Sequence, residues 1–127
     1  MTYNLLPVDL LNQCHEDFWT LAPANVNVVL HREVSSVATQ WQRRGIATKM
    51  LSLNMTPEKI AEFKVDGVIS ETSSFANQAL LLKKGFKCLK EIPYSSVVDS
   101  QGNQILKTDD GSKGLRLNLK LIKDFEF

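Results

Sequence analysis

The chain has 127 residues, of which 43% are apolar and 23% charged, and its formal net charge is +1. This length and composition fit a single globular domain, residues 1–127, with one hydrophobic core. A net charge so close to zero gives the protein no long-range electrostatic attraction to nucleic acid or to an anionic membrane, so we predict neither as a partner.

The first residues and the cysteines narrow the class of protein further. The sequence contains no run of 18 apolar residues, so no membrane span is predicted. The opening MTYNLLPVDLL lacks the basic start of a signal peptide. Cys14 and Cys88 have neither a metal-binding nor a redox spacing, which indicates reduced thiols in a cytoplasmic protein.

One helix and one long strand are predicted at the start of the chain. Leu6, Leu10, Cys14 and Phe18 recur every four residues, which indicates a single helical stripe. Residues 26–37, VNVVLHREVSSV, are rich in β-branched residues and partly alternate between apolar and polar. They therefore predict a long strand.

Two short helices are predicted to follow. The apolar spacing from Gly45 onward indicates a helix at about 45–53. Thr56 and Pro57 are a capping residue and a first-turn proline, so a second helix should run from there to about Phe63.

A strand and a third helix occupy the next part of the sequence. Residues 67–70, GVIS, are apolar enough for a short buried strand. Ser73 or Ser74 is expected to cap the helix that follows. Gly85 is expected to end that helix, because glycine readily takes the left-handed conformation common at this position.

The last forty residues indicate two strands separated by a turn. Residues 86–92, FKCLKEI, predict a strand with Phe86, Cys88 and Ile92 on one side. After the turn-forming run DSQGN, residues 115–122, LRLNLKLI, alternate leucines with polar residues. Together the elements predict an α/β (α+β) fold in which helices flank a mixed sheet.

The stretch QRRG, residues 42–45, lies between the predicted long strand and a helix, and it suits phosphate binding. A helix N-terminus has free N–H groups and a partial positive charge. Gly45 lets backbone approach a ligand closely, and Arg43 and Arg44 can add charge-assisted hydrogen bonds. An ordinary helix start with two solvated arginines is the alternative. Neither GxGxxG nor GxxxxGK[ST] is present, so no dinucleotide fold or P-loop is predicted.

Two ordered motifs resemble those of the GNAT superfamily of acetyl-CoA-dependent N-acetyltransferases. Residues 42–47, QRRGIA, resemble the family signature Q/R-x-x-G-x-G/A. Residues 77–86, NQALLLKKGF, resemble its helix-to-strand junction, N-x-x-A-x-x-L-Y-x-x-x-G-F, with Leu81 at the tyrosine position. The run KEIPYSS, followed by LRLNLKL, resembles the invertebrate arylalkylamine N-acetyltransferase-like branch. Family members begin with further strands, so the resemblance implies an N-terminally shortened member with a partial GNAT fold.

The resemblance implies an acetyl-CoA site between two parallel strands that splay apart, here residues 26–38 and 67–71. Backbone of the first strand would pair with the pantetheine arm, and the amides of the following loop would hold the pyrophosphate. The cofactor-binding residues implied in this way are Val37, Thr39, Gln42, Arg43, Arg44, Gly45, Ile46, Ala47, Thr48 and Asn77.

Several side chains are candidates for catalysis. The resemblance implies Ser73 as a catalytic serine near a helix start, and a helix cap is the alternative. Glu33 lies on the strand beside the implied thioester and is a candidate base, or else a solvated strand charge. His15 and His31 are further candidate bases because imidazole titrates near neutral pH, with a structural role as the alternative. No metal site is predicted.

The resemblance therefore implies an enzyme that transfers an acetyl group from acetyl-CoA to a small (arylalkyl)amine. The alternative is a weakly active or inactive acyl-CoA-binding or interaction module derived from that family. It arises because Leu81 replaces the tyrosine that protonates the leaving thiolate. The missing strands would also leave one edge of the long strand without a neighbour. The N-terminal helix could fold over this edge, or a second copy could pair with it, and we predict the second arrangement, a homodimer.

Overall fold

The computed structural model of the chain describes most of it, namely residues 8–32, 38–51, 53 and 55–126. Two helices lie at its start, α1 (Val8–His15) and α2 (Phe18–Leu21). Leu10, Cys14 and Phe18 are buried, as the helical stripe predicts, and Leu6 lies outside the described residues. The predicted single helix is two helices instead, because the chain makes a turn between them.

Among the described residues, four strands form one sheet, and they are β1 (Val29–Arg32), β2 (Gly67–Thr72), β3 (Lys87–Pro93) and β4 (Gly114–Leu121). Their order in the sheet is β1-β2-β4-β3. β1 and β2 run parallel, whereas β4 is antiparallel to both β2 and β3. The predicted mixed sheet is thus confirmed, and the carboxyl ends of β1 and β2 lie at the same edge.

The described part of β1 is shorter than the predicted strand at residues 26–37. It begins at Val29 because the two preceding amides, of Asn27 and Val28, donate to the Asp66 carboxylate at 2.8 and 3.0 Å. Residues 33–37, which would form the second half of the predicted strand, lie outside the described residues.

β4 is the central strand of the antiparallel half and is buried on both faces. Its leucines at 115, 117 and 119 are at most 5% exposed, as the alternation predicts. On the opposite face Asn118 is 1% exposed. Its side-chain amide donates to the Ser70 carbonyl and to Thr72 Oγ1, each at 3.0 Å, so the buried polar group is satisfied.

Three further helices connect the strands, namely α3 (Ile46–Met50), α4 (Pro57–Phe63) and α5 (Phe75–Lys83). Thr56 caps α4 by accepting a hydrogen bond from the Lys59 amide, which confirms the predicted start of this helix. Gly85, with φ of 89°, follows α5 in the predicted left-handed conformation. α3 is shorter than the predicted helix at 45–53.

Helices pack on both faces of the sheet. On one face α1 and α2 bury Leu10, Cys14 and Phe18 against Ile69 and the leucines of β4. On the other face Val68 packs with Leu81 of α5 and with α4. None of the helices among the described residues is long and apolar enough to cross a lipid bilayer.

The prediction that Phe86, Cys88 and Ile92 share one side of a strand is wrong. Phe86 and Ile92 are buried, but in the two cores on opposite faces of the sheet, and Cys88 is exposed. The pairing of β3 with β4 shifts between Cys88 and Lys90, which leaves one extra residue in β3. A β-bulge of this kind reverses the alternation of side chains along a strand, and the sequence carries no local signal for it.

Candidate functional site

Both histidines of the chain meet at one carboxylate, and we name this group of His15, His31 and Glu71 the His–Glu–His cluster. His15 is the last residue of α1, His31 lies on β1, and Glu71 lies near the carboxyl end of β2. β1 and β2 are parallel neighbours with His31 opposite Ile69, so the side chains of His31 and Glu71 are on the same sheet face. α1 covers that face and brings in His15.

Each oxygen of the Glu71 carboxylate has its own imidazole partner. Oε1 lies 2.9 Å from His15 Nδ1, and Oε2 lies 2.6 Å from His31 Nε2. The Glu71 side chain is 3% exposed, whereas those of His15 and His31 are 36% and 30% exposed. The two rings meet edge to face, with centroids 5.7 Å apart. A buried carboxylate therefore orients two imidazoles that solvent can still reach, and such a group can accept or donate protons.

The sequence identified the two histidines as candidates but missed Glu71, which brings them together. A signal was present, because Glu71 is the single charged residue in the otherwise uncharged strand GVISET. A charge in a buried strand is rarely left without a partner. The partners themselves, 40 and 56 residues away in the chain, follow only from the three-dimensional packing.

Cys14 lies beside the cluster, within the core. It is fully buried, and its Sγ faces the Leu115 carbonyl oxygen at 3.9 Å. Burial, followed by the negative charge of Glu71, raises the pKa of Cys14 to about 12. The thiol is therefore protonated at neutral pH and takes no part in the chemistry of the neighbouring imidazoles.

The second candidate region is the Gly45 loop, by which we mean residues 42–45. Gly45 has a φ of 78° and directly precedes α3, and the space where a Cβ would lie is open. Arg43 also has a positive φ, of 62°. The Gly45 carbonyl accepts the first helical hydrogen bond, from Lys49 at 3.0 Å. The amides of the first turn, residues 46–48, have no acceptor within a helix and are available to an anion.

The side chains of the Gly45 loop face solvent. Arg44 lies over the ring of Trp41, with Cζ 4.9 Å from the ring centroid, so this arginine has a cation–π partner that holds it near the loop. Thr39 begins the 3₁₀ turn Thr39–Trp41, which enters the loop. The predicted cofactor-binding residues from Thr39 to Thr48 thus form one exposed, contiguous segment, apart from the half-buried Ala47.

The start of α5 brings together the other predicted residues. Ser74, rather than Ser73, caps the helix, because its Oγ accepts from the Asn77 amide at 3.2 Å. Ser73 is half-buried, and its carbonyl accepts from the Tyr94 hydroxyl at 2.8 Å. The helix-cap alternative for Ser73 is therefore wrong. Asn77 is half-buried in the first turn of α5.

Three further predicted positions remain: two lie outside the described residues, and the third is buried in the core. Glu33 and Val37, a candidate base and a candidate cofactor contact, both lie outside the described residues. Leu81 is 3% exposed and packs with Val68 and Phe86 in the core. It offers no group that exchanges a proton.

Comparison with protein-family models and with curated proteins gives no match. Solved structures do match, across most of this chain. Arylalkylamine N-acetyltransferase 2 from Aedes aegypti is 20% identical with a TM-score of 0.73, and 90% of this chain aligns with 52% of that protein. The C-terminal condensation domain of Ebony, solved with β-alanyl-dopamine, is 19% identical with a TM-score of 0.66, for 90% and 55% of the two chains.

A third similar structure is the Drosophila melanogaster polyamine N-acetyltransferase, an enzyme that forms N-acetylagmatine. It is 14% identical with a TM-score of 0.62, and 91% of this chain aligns with 51% of that one. The chain thus spans about half the length of each of these proteins. Its fold is that of the GNAT-type arylalkylamine and polyamine N-acetyltransferases, as the sequence motifs imply.

Proposed function

We propose that the chain is an acetyl-CoA-dependent N-acetyltransferase that acts on a small amine, either an arylalkylamine or a polyamine. The observation that carries this proposal is the fold, which 90% of the chain shares with an arylalkylamine N-acetyltransferase at a TM-score of 0.73. The parallel strands β1 and β2 and the Gly45 loop are the elements that the sequence motifs predict to hold the coenzyme.

In this proposal the Gly45 loop binds the coenzyme A pyrophosphate. The open space at Gly45 and the first-turn amides of α3 support the assignment, because a diphosphate needs close approach and several N–H donors. Arg43 and Arg44 add positive charge, and Asn77 is proposed to contact the pantetheine arm. Acetyl-CoA supplies an activated thioester, and Val37 and Thr39 are proposed to align it by backbone pairing.

The acceptor amine must lose a proton as it forms the amide bond. The His–Glu–His cluster is a suitable acceptor, because both imidazoles reach solvent and Glu71 can stabilise the charge that one of them gains. Glu33 remains a second proposed base. Ser73 is proposed to donate a proton to the departing thiolate, since Leu81 has none to give.

Leu81 favours a second candidate function, an acyl-CoA-binding module with little or no turnover. Its side chain is an integral part of the core around Val68 and Phe86 and does not face a ligand. An acetyltransferase of this fold would then depend on another residue to protonate the thiolate. If Ser73 cannot do so, coenzyme binding would remain while catalysis is lost.

Two assays separate these functions. Release of free coenzyme A is measured with acetyl-CoA and a panel of arylalkylamines and polyamines, and acetyl-CoA binding is measured by calorimetry. Amine-dependent release of coenzyme A supports the enzyme, and binding without release supports the binding module. Absence of both overturns the proposal.

Two finer features belong to the same proposal. β1 is an edge strand of the sheet, and we propose that a second copy covers this edge in a homodimer. Sedimentation at micromolar concentration tests this, and a monomer mass contradicts it.

Both cysteines are free thiols, which fits the reducing cytoplasm that we propose as the location.

A further inference from the structure

The proposed acetyl transfer uses the His–Glu–His cluster as a proton acceptor, but the same donor atoms can instead bind a metal ion, which would exclude the proton-accepting role while the ion is bound. Two imidazole nitrogens and a carboxylate oxygen, from α1, β1 and β2, all lie within 4.8 Å of one another. Both histidines of the chain belong to this group. Among the described residues, the ion-pair partners of the buried Glu71 carboxylate are these two imidazoles. The fold has therefore assembled two nitrogen donors and one oxygen donor at one point.

We propose that the His–Glu–His cluster binds Zn²⁺, with His15 Nδ1, His31 Nε2 and one oxygen of Glu71 as ligands. Two imidazoles and one carboxylate are a donor set that zinc uses in proteins, with a fourth position left for water. Nitrogen ligands disfavour Mg²⁺ and Ca²⁺, which prefer all-oxygen sites. One carboxylate charge against the double charge of the metal leaves the site cationic.

The distances in the cluster allow this coordination after a small movement. The two nitrogen–oxygen contacts are 2.9 and 2.6 Å, and they are hydrogen bonds in the metal-free protein. Ligands about 2.0–2.1 Å from a tetrahedral zinc lie about 3.3 Å from each other. With one Glu71 oxygen as ligand, the imidazole bonded to that oxygen would move away from it by roughly half an ångström, and the imidazole that contacts the other oxygen would turn toward the ion. Side-chain rotation can supply both movements because both histidines are partly exposed.

The solvent exposure of the two histidines and the orientation of Cys14 also favour a zinc site at the cluster. With His15 and His31 about one third exposed, a hydrated ion can reach the cluster from solvent. The backbone of Glu71, by contrast, is fixed in the sheet because β2 pairs on both sides, and its side chain is 3% exposed. The neighbouring Cys14 does not compete as a ligand, because its sulfur faces the Leu115 carbonyl.

Zinc binding can be measured on the full chain without any substrate. The protein is first treated with a chelator, and ZnCl₂ or MgCl₂ is then added in calorimetry and in thermal unfolding. We expect one zinc per chain and a rise in Tm of about 5–10 °C when free zinc is about a hundred times Kd. Mg²⁺ should change neither signal. Absence of a zinc response, or an equal response to Mg²⁺, overturns the proposal.

Substitutions of the two histidines test whether zinc binds at the cluster. His31→Gln and His15→Gln should each weaken zinc binding by more than about tenfold, because each removes a ligand. Asp17→Asn is the matched control, since it removes an exposed carboxylate two residues from His15 and should leave zinc affinity unchanged. If the histidine variants bind zinc as well as the parent does, the metal lies elsewhere and the proposal fails.

A spectroscopic measurement covers the case in which a variant fails to fold. The unmodified chain has two histidines, so its imidazole NMR signals come from two rings and can be followed directly. Zinc should shift the signals of both rings together, at one equivalent. A shift in the signals of one ring alone, or of neither, contradicts a site shared by the two rings. None of these readouts depends on acetyl transfer, so failure of the zinc site and failure of the proposed function are distinguishable.

Discussion

The His–Glu–His cluster and the Gly45 loop are built in opposite ways. The cluster joins α1, β1 and β2 through side chains around a carboxylate that is 3% exposed. The loop is exposed and takes its shape from its own backbone, through the positive φ angles of Arg43 and Gly45. Damage to the cluster should therefore be felt in the stability of the whole domain. Substitutions in the loop should mainly weaken ligand binding, and they should lower stability only through local backbone strain.

The sharpest way to test this contrast is at Gly45. Gly45→Glu should abolish acetyl-CoA binding, because it places bulk and negative charge where the proposal puts the pyrophosphate. The substitution also strains the backbone, since φ is 78°. Calorimetry with acetyl-CoA measures the binding, and thermal unfolding measures the accompanying loss of stability.

Gly102 provides a matched control for this substitution. Its φ is 83°, and the space at its Cβ position is also open, but it lies in the turn at residues 99–103. Gly102→Glu should produce the same backbone strain without affecting acetyl-CoA binding. If Gly45→Glu binds acetyl-CoA as well as the parent, the assignment of the loop is wrong.

In the His–Glu–His cluster, the corresponding test is a substitution of the buried Glu71 carboxylate. Glu71→Ala should lower the free energy of unfolding by about 2–4 kcal/mol, because it removes two hydrogen bonds to imidazoles and leaves a buried space. Urea unfolding at neutral pH measures this loss. The effect on acetyl-CoA affinity should be small by comparison.

Glu91 is the control for Glu71, because it too is a strand glutamate with a side-chain partner, here Arg116, but it is exposed on β3. Glu91→Ala should lower the free energy of unfolding by less than about 1 kcal/mol. Equal losses for the two variants would contradict a special role of the Glu71 carboxylate in holding the three elements together.

The contrast between the Gly45 loop and the His–Glu–His cluster also explains which features could be predicted from the sequence. Local signals were sufficient for the start of a helix after Gly45, for the Thr56 cap and for the alternation of β4, because each depends on residues close together in the chain. The meeting of His15, His31 and Glu71 depends on strand order and on where α1 packs, and no local pattern contains that information. The register shift at Cys88 was missed for the same reason, since a bulge is defined by the partner strand.

A smaller effect is expected from the arginines of the Gly45 loop. Arg43→Ala combined with Arg44→Ala should weaken acetyl-CoA binding by about tenfold, since the backbone donors remain. The expected loss is modest because both side chains are exposed. Calorimetry with Lys87→Ala combined with Lys123→Ala controls for the change in net charge. A loss as complete as that of Gly45→Glu would show that the side chains, and not the amides, hold the phosphates.

The smallest effect concerns the other end of the parallel strand pair, where Asp66 binds the amides that precede β1. These hydrogen bonds, from Asn27 and then Val28, hold the pKa of Asp66 below its ordinary value of 3.8. A lowered pKa means that the stabilisation is present above pH 3.8 and is lost as the pH falls through the folded-state pKa. Asp66→Asn should therefore be less stable than the parent at neutral pH, and the difference should vanish in acid.

Urea unfolding of the parent and of Asp66→Asn over a pH series, from neutral down to below the lowered pKa of Asp66, checks this expectation. Asp109→Asn, a change at an exposed loop residue, should show no such pH-dependent difference. If the deficit of Asp66→Asn persists in acid, the carboxylate acts through its shape and not its charge. The entry to β1 would then resemble the Gly45 loop, where backbone geometry decides the structure, more than the cluster, where a charged side chain organises its surroundings.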